Sequence, residues 1–408
     1  MKTKIIFSVI ILIISTISCE KDTIPVTEPE DIVLTQKSIQ LVNAGNTFTF
    51  NLLKKIPISQ GQNMMVSPLS ISLALSMALN GAEASTKTDM INTLGLTGLT
   101  VDEVNQTYLD LITALKKVDP NVVMNVANSI WIRKNYQVEE TFITTNQKYF
   151  DATVTKLDFN QTGLNTINSW VNEKTKSKIP KILDDISPDE IMFLINAIYF
   201  NGKWHYQFDK TQTQTGPFTL GTSVAANVPY MKIKEQFGYS EQSGYEALKM
   251  PYGRGKFGMV IILPDEGKTP DQIIELMTPT TWATLNTSLN TPVKVDVWMP
   301  RFKFAWETEL KQILSSLGMS VAFSPSDADF SKINAFDRLY ITKAKHKTFI
   351  EVNEEGTEAA AVTSIGIGVT SIGPGGPEFH ATRPFLFFIT EEDTDAVIFA
   401  GKVENPLN

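Results

Sequence analysis

Residues 354–383 run between two apolar, strand-like stretches at 348–352 and 385–389 and carry no helix signal. Long structureless connections inside a domain are uncommon and are usually functional. Any fold for this chain must therefore display or absorb this one. Its first half is small: Gly356-Thr357-Glu358-Ala359-Ala360-Ala361-Val362-Thr363-Ser364. Its second half is punctuated by Gly366, Gly368, Gly373, Gly375 and Gly376. Every second residue from Thr357 gives Thr357, Ala359, Ala361, Thr363, Ile365, Ile367 and Val369, small at first and apolar later. The intervening set carries the charge, at Glu358. Period two marks a strand with one face toward a core. An exposed glycine-rich loop has no need of that alternation; a loop able to become a strand does.

The rest of the chain supplies a body for it. Of 408 residues, 42% are hydrophobic, enough for a packed core and against wholesale disorder. Apolar recurrence at three and four predicts helices over 39–53, 69–80, 86–94 and 101–118, with Ser67-Pro68 as cap and first turn of the second. Strand-like runs follow at 123–131, 191–200, 257–263, 293–298, 348–352, 385–389 and 396–401. Several are apolar without alternation, as in strands buried on both faces. Helices first and strands later indicate a single α+β domain with large sheets.

The chemistry of the side chains excludes more than it offers. A net charge of −8 without a basic block argues against nucleic acid as a partner. One cysteine and three histidines leave no intramolecular disulfide and no cysteine-based metal cluster, and no metal or cofactor is expected. There is no G-x-S-x-G elbow, phosphate-binding loop or H-E-x-x-H helix. His205, His346 and His380 stand far apart.

At the N-terminus, Met1-Lys2-Thr3-Lys4 precedes an apolar run and then Ser15-Thr16-Ile17-Ser18-Cys19, the pattern of an export signal over residues 1–18. The run is too short for a membrane span of ~20 residues. Cys19 resembles the acylated cysteine of a bacterial lipoprotein, although Thr16 stands where such signals usually carry leucine. Residues 19–36 are polar, acidic and proline-containing, which suits a tether between a lipid anchor and a body over 37–408.

Seven motifs in order carry a family resemblance. Asn63-x-x-x-Ser67-Pro68-x-Ser70-Ile71 is followed by Asn196-Ala197-x-Tyr199-Phe200-x-Gly202-x-Trp204 and Met299-Pro300-Arg301-Phe302. Then come Asp329-Phe330-Ser331, His346-Lys347, Phe379-x-Ala381-x-x-Pro384-Phe385 and Gly401-Lys402-Val403-x-Asn405-Pro406. Together with residues 354–361 they resemble the serpin family over nearly the whole body. The resemblance implies three β-sheets, about nine helices and an exposed reactive loop at about 354–383. It implies a hinge at Glu354, Glu355, Gly356, Thr357, Glu358, Ala359, Ala360 and Ala361. Ser67, Ser70, Asn196 and His346 would lie where the main sheet opens, and Trp204, Arg301 and Glu354 at its upper end. Arginine at 301 replaces the family's usual lysine, and either pairs with a carboxylate.

By family spacing the scissile bond falls at Thr370–Ser371, with Val369 or Ile367 as alternative cleavage points. The resemblance further implies a monomeric suicide inhibitor of serine or cysteine endopeptidases rather than an enzyme. The cut loop would insert into the main sheet with the acyl-enzyme still attached, a strand addition driven by stored strain. Residues 354–382 contain no lysine or arginine, which disfavours trypsin-like targets and favours elastase- or subtilisin-like ones. Cys19 implies a lipid-anchored protein of the cell envelope, at an outer membrane or surface, or a secreted one. A non-inhibitory binding protein of the envelope is the alternative; such members commonly lose the small-residue hinge kept here.

Overall fold

A computed structural model describes residues 28–57, 60–357 and 376–408. Caps and prolines open its first helices. Thr35 caps α1 (Gln36–Leu53), and Ser67 caps α2 (Pro68–Leu79) with Pro68 in the first turn. α3 (Ala84–Thr93) follows, and Thr100 with Glu103 forms a reciprocal capping box on α4 (Val101–Leu115). α4 ends three residues before the expected 118, because Pro120 drives the preceding chain toward extended backbone. The remaining helices are α5 (Glu140–Phe150), α6 (Gln161–Lys174), α7 (Pro270–Leu276), α8 (Pro279–Ser288) and the single turn α9 (Lys311–Leu314).

Fifteen strands lie among the described residues. They are β1 (Met64–Val66), β2 (Val122–Arg133), β3 (Thr153–Leu157), β4 (Met192–Lys203) and β5 (Gln214–Thr219). The chain continues through β6 (Ala225–Gln242), β7 (Tyr245–Tyr252), β8 (Phe257–Pro264), β9 (Pro292–Pro300) and β10 (Phe302–Glu309). It closes with β11 (Lys345–Asn353), β12 (Gly356–Thr357), β13 (Glu378–His380), β14 (Phe385–Glu391) and β15 (Val397–Val403). The expected three-sheet plan is present in a joined form. The long strand β6 pairs with β5, β9 and β7 along its length and so links two sheets into one nine-stranded ladder. β8, β14 and β15 are buried at every position, as their unbroken apolar runs require.

The other sheet has the order β10-β11-β12-β4-β2-β3. It is two firm halves with a narrow join. β2 pairs with β4 from Val122↔Gly202 to Ile132↔Met192, and β10 pairs with β11 from Phe302↔Val352 to Glu309↔Lys345. Among the described residues, only Gly356 and Thr357 connect the halves: they pair antiparallel with β11 on one side and β4 on the other. Below them, no ladder among the described residues joins β4 to β11.

The expected tether is partly docked. From Glu28 onward the acidic segment lies along the body instead of hanging free. Glu28 pairs with Arg254 at 2.7 Å, and Asp31 pairs with Lys256. The Ile32 N–H donates to Asp393 at 2.8 Å, and Ile32 and Leu34 pack against the core. Both acidic side chains remain over four-fifths exposed, so solvent screens their pairs. A double Glu28→Ala/Asp31→Ala variant should therefore fold normally and shift the thermal midpoint by less than about 4 °C, as differential scanning calorimetry would read.

Candidate functional site

The site is the parted seam between β4 and β11. At its upper end the chain leaves β11 and turns into β12 through Glu354 and Glu355. Glu354 is 2% exposed, and its carboxylate accepts from Arg301 Nε at 2.7 Å, from Arg301 Nη2 and from the Thr213 hydroxyl. Burial alone would raise this carboxyl, but the guanidinium and hydroxyl outweigh it and hold it below the usual range. Glu355 pairs with Lys210. The backbone joins in as well: Trp204 N–H donates to Glu355 O and Phe208 N–H to Glu354 O. The Trp204 indole donates to Asn353 O at 2.9 Å and stacks on Tyr252 with ring centroids 4.4 Å apart. Trp204, Arg301 and Glu354 thus lie together at this end of the seam.

Gly356 can be nothing else. Its φ is +149°, and a Cβ there would lie 2.1 Å from Gly202 O. Thr357 then enters the seam with its side chain buried and its hydroxyl bonded to Tyr252. A threonine fits because it is small and its one polar group finds a partner in a phenol that burial keeps protonated.

Lower down, α2 crosses behind the seam. Ser67 Oγ accepts the Ser70 N–H at 3.2 Å and donates to Ile398 O at 2.8 Å, so one hydroxyl caps the helix and ties it to β15. The Ser67 N–H donates to His346 Nε2 at 3.0 Å, which pins β11 to the same helix end. Thr348 adds a second tie from β11, donating to Met65 O at 2.7 Å. Asn196 does not join this cluster. It stands on β4 and donates to Asn128 Oδ1 at 2.7 Å, while Asn128 donates to Phe150 O. Between the two groups lies a cavity of about 360 Å³, lined by Ser70 and Ala74 of α2, Asn196 of β4 and His346 of β11. The small residues of α2 leave this room.

The arrangement can do one thing well: accept a strand. The facing edges of β4 and β11 lack a shared ladder, and such edges are templates for strand addition. The hinge residues Glu358, Ala359, Ala360 and Ala361 lie outside the described residues, as do Ile367, Val369, Thr370, Ser371 and Cys19. Reasoning from sequence missed Thr213, Lys210, Tyr252, Asn128 and Thr348. These are ordinary polar residues whose roles arise from contacts over 65 positions or more in most cases, and no local pattern announces them.

His346 gives a pH test. Burial pushes its imidazole down from 6.5 to about 4, so the folded protein refuses a proton that the unfolded chain binds. Its stabilising contribution is complete above pH 6.5 and is lost as pH falls toward 4. Across that window the thermal midpoint of the unmodified chain should drop relative to that of His346→Gln when both are scanned at one rate.

Comparisons with known proteins agree with this geometry. The family model described as "Serpin (serine protease inhibitor)" matches residues 43–406. An uncharacterized serpin-like protein of Methanosarcina acetivorans is 35% identical over 90% of this chain and 86% of its own length. Human Serpin B9 is 33% identical over 90% of this chain and 99% of its own. The crystal structure of tengpin, a thermophilic serpin, in its native state superposes with a TM-score of 0.83 at 32% identity, covering 93% of this chain and 97% of that one. With that match and a two-residue strand set between the halves of a parted sheet, the chain belongs to the serpin family.

Proposed function

We propose that this serpin is a suicide inhibitor of serine endopeptidases, and of cysteine endopeptidases with similar taste, held at the cell envelope through a lipid on Cys19. The observation that carries the reading is the seam itself: Gly356 and Thr357 already pair as the first rungs of a strand between β4 and β11. If the following residues entered in the same register, Ala359 would come opposite Phe200 and Ile350, and Thr363 opposite Asn196 and His346. All of these share the buried face of Thr357, because the side-chain period is two. The alternating set read from the sequence is then the set that faces the cavity.

The chemistry needs no group from the serpin beyond its peptide bond. The protease's nucleophile attacks the carbonyl of Thr370, the amine of Ser371 leaves with a proton, and an acyl-enzyme remains on the new end at Thr370. Water would next cleave that ester or thioester. Insertion must come first, so the leading residues that face inward must be small and uncharged. Energetics explain the later residues. A residue entering between two strands makes two ladder hydrogen bonds at about 1 kcal/mol net each, while ordering it costs about 1–2 kcal/mol. Hydrogen bonding thus roughly offsets the cost of ordering. Burial of Ile365, Ile367 and Val369, at roughly 2 kcal/mol each, tips the balance.

Incubation of the mature chain with elastase, subtilisin, trypsin and papain should yield detergent-stable adducts with elastase, subtilisin and papain and none with trypsin, seen by gel and mass spectrometry. The cleaved chain should resist heat better than the intact one. Cleavage with no adduct and no gain in heat resistance would overturn the inhibitory reading. Ala359→Arg should convert the inhibitor to a substrate: entering in the same register opposite Phe200 and Ile350, an arginine would be buried without a partner at a penalty of several kcal/mol. A stable adduct formed by that variant would contradict the mechanism.

A further inference from the structure

The strand β13 is short, and its hold on the body is correspondingly local. It pairs parallel with β9 through Glu378↔Asp296, Phe379↔Val297 and His380↔Trp298. On the other side of β9 runs β6, with Lys232 opposite Trp298 and Lys234 opposite Asp296. Side chains in register across neighbouring strands share a face, so two rows form here. In the first row, the Trp298 indole lies between Lys232 and His380. The Lys232 ammonium is 3.6 Å from the ring centroid, and the His380 ring stacks on the indole with centroids 4.3 Å apart. In the second row, Lys234, Asp296 and Glu378 stand side by side. Phe379, fully buried, points the other way and fixes the register of the strand.

His380 has a carboxylate at each ring nitrogen. Nε2 is 3.5 Å from Asp296 Oδ1, and Nδ1 is 3.8 Å from Glu378 Oε2. Nε2 is buried and makes no hydrogen bond among the described residues. A neutral imidazole carries one N–H and one lone pair. It can offer a donor to one of these carboxylates and must turn its lone pair on the other. The imidazolium has a donor for both, and its charge suits the indole face as well. Other charges surround the corner. Glu246 of β7 adds a further carboxylate that interacts with His380, and Arg383 acts on Glu246 from the chain beyond β13. Lys234 and Lys294 belong to the second row's face. Lys232 lies across the indole and donates to Gln214 at 2.8 Å. The charges nearest the ring nitrogens are thus the two carboxylates, and attraction falls with distance and screening.

We infer that His380 is a pH-sensitive clasp: its protonation ties β13 to β9, and its deprotonation loosens the strand by which the chain rejoins the sheet after Gly376. Imidazole is the side chain suited to such a role, because its ordinary titration falls between pH 5 and 8. In the protonated form β13 gains an ion pair to β9 through Asp296, one within itself through Glu378, and a cation on the second face of Trp298. In the neutral form it keeps the stack and its backbone ladder. On the inhibitory reading given above, the part of the chain left on the body after the cut hangs from this strand, so acid would strengthen that hold too.

Hydrogen exchange on the intact chain, read by mass spectrometry and corrected for the intrinsic effect of pH, tests the clasp. The reporters are the β13 amides and the Ala381 N–H, which donates to Trp298 O at 2.9 Å. Their protection relative to the buried β14 amides should rise about five-fold from pH 8 to pH 5.5, the size of one good half-exposed ion pair. His380→Gln, which keeps a polar side chain without a titrating charge, should abolish the rise. Asp296→Asn leaves the ring in place and should reduce the rise, and it should move the NMR titration of the His380 ring to lower pH. A histidine that only packs on Trp298 would show neither effect. Protection that does not change with pH, or an equal rise in His380→Gln, would overturn the inference. None of these readouts involves a protease, so failure of the inhibitory function and failure of the clasp would be told apart.

Discussion

Two backbone residues hold open the seam on which everything else depends. Gly356 and Thr357 are the only strand that bridges β4 and β11 among the described residues. A sheet wedged at one end is under tension of a definite kind: the edges beneath the wedge want partners that neither can supply to the other. Further strand entry would relieve this, and a closed five-stranded sheet with no wedge would have nothing to gain. The polar groups around the wedge keep it in place without closing the way below. Glu354 is locked by Arg301 and Thr213, Glu355 is held by Lys210, and Trp204 and Tyr252 stack beneath.

Size and order of residues then follow from the competition between rate and driving force. In the proposed insertion, small side chains at the start would enter quickly because they displace little, and large apolar ones would follow and bury the surface that makes the move favourable. The cavity behind the seam offers room for it, since Ser70 and Ala74 line it together with Asn196 and His346. His346 joins α2 to β11 through the Ser67 amide, so the seam cannot widen there without disturbing that bond.

Much of this was legible in the chain before any coordinates. Ser67-Pro68 marks a helix start because an N-cap hydroxyl and a fixed φ are local needs, and the observed cap confirms it. Unbroken apolar runs at 257–263, 385–389 and 396–401 correspond to β8, β14 and β15, each buried throughout. The upper-seam trio of Trp204, Arg301 and Glu354 came from family resemblance and converges in space. Less visible were the partners that lack any motif. Thr213 sits 141 positions from Glu354 and Tyr252 lies 105 from Thr357, so only folding brings them together. The acidic segment at 28–35 reads as linker from its composition, yet Arg254, Lys256 and Asp393 capture it from remote turns.

By itself the amino-acid order determined the alternation of the loop, the capped helices and the apolar runs of the strands, because each answers to neighbours within a few residues. The tertiary structure alone decided that β4 and β11 stand apart, that Asn196 and His346 face one cavity from opposite sides, and that the N-terminal strap docks beside the hinge. Those facts depend on which surfaces meet, and burial and charge pairing between distant segments are settled only when the whole body closes around them.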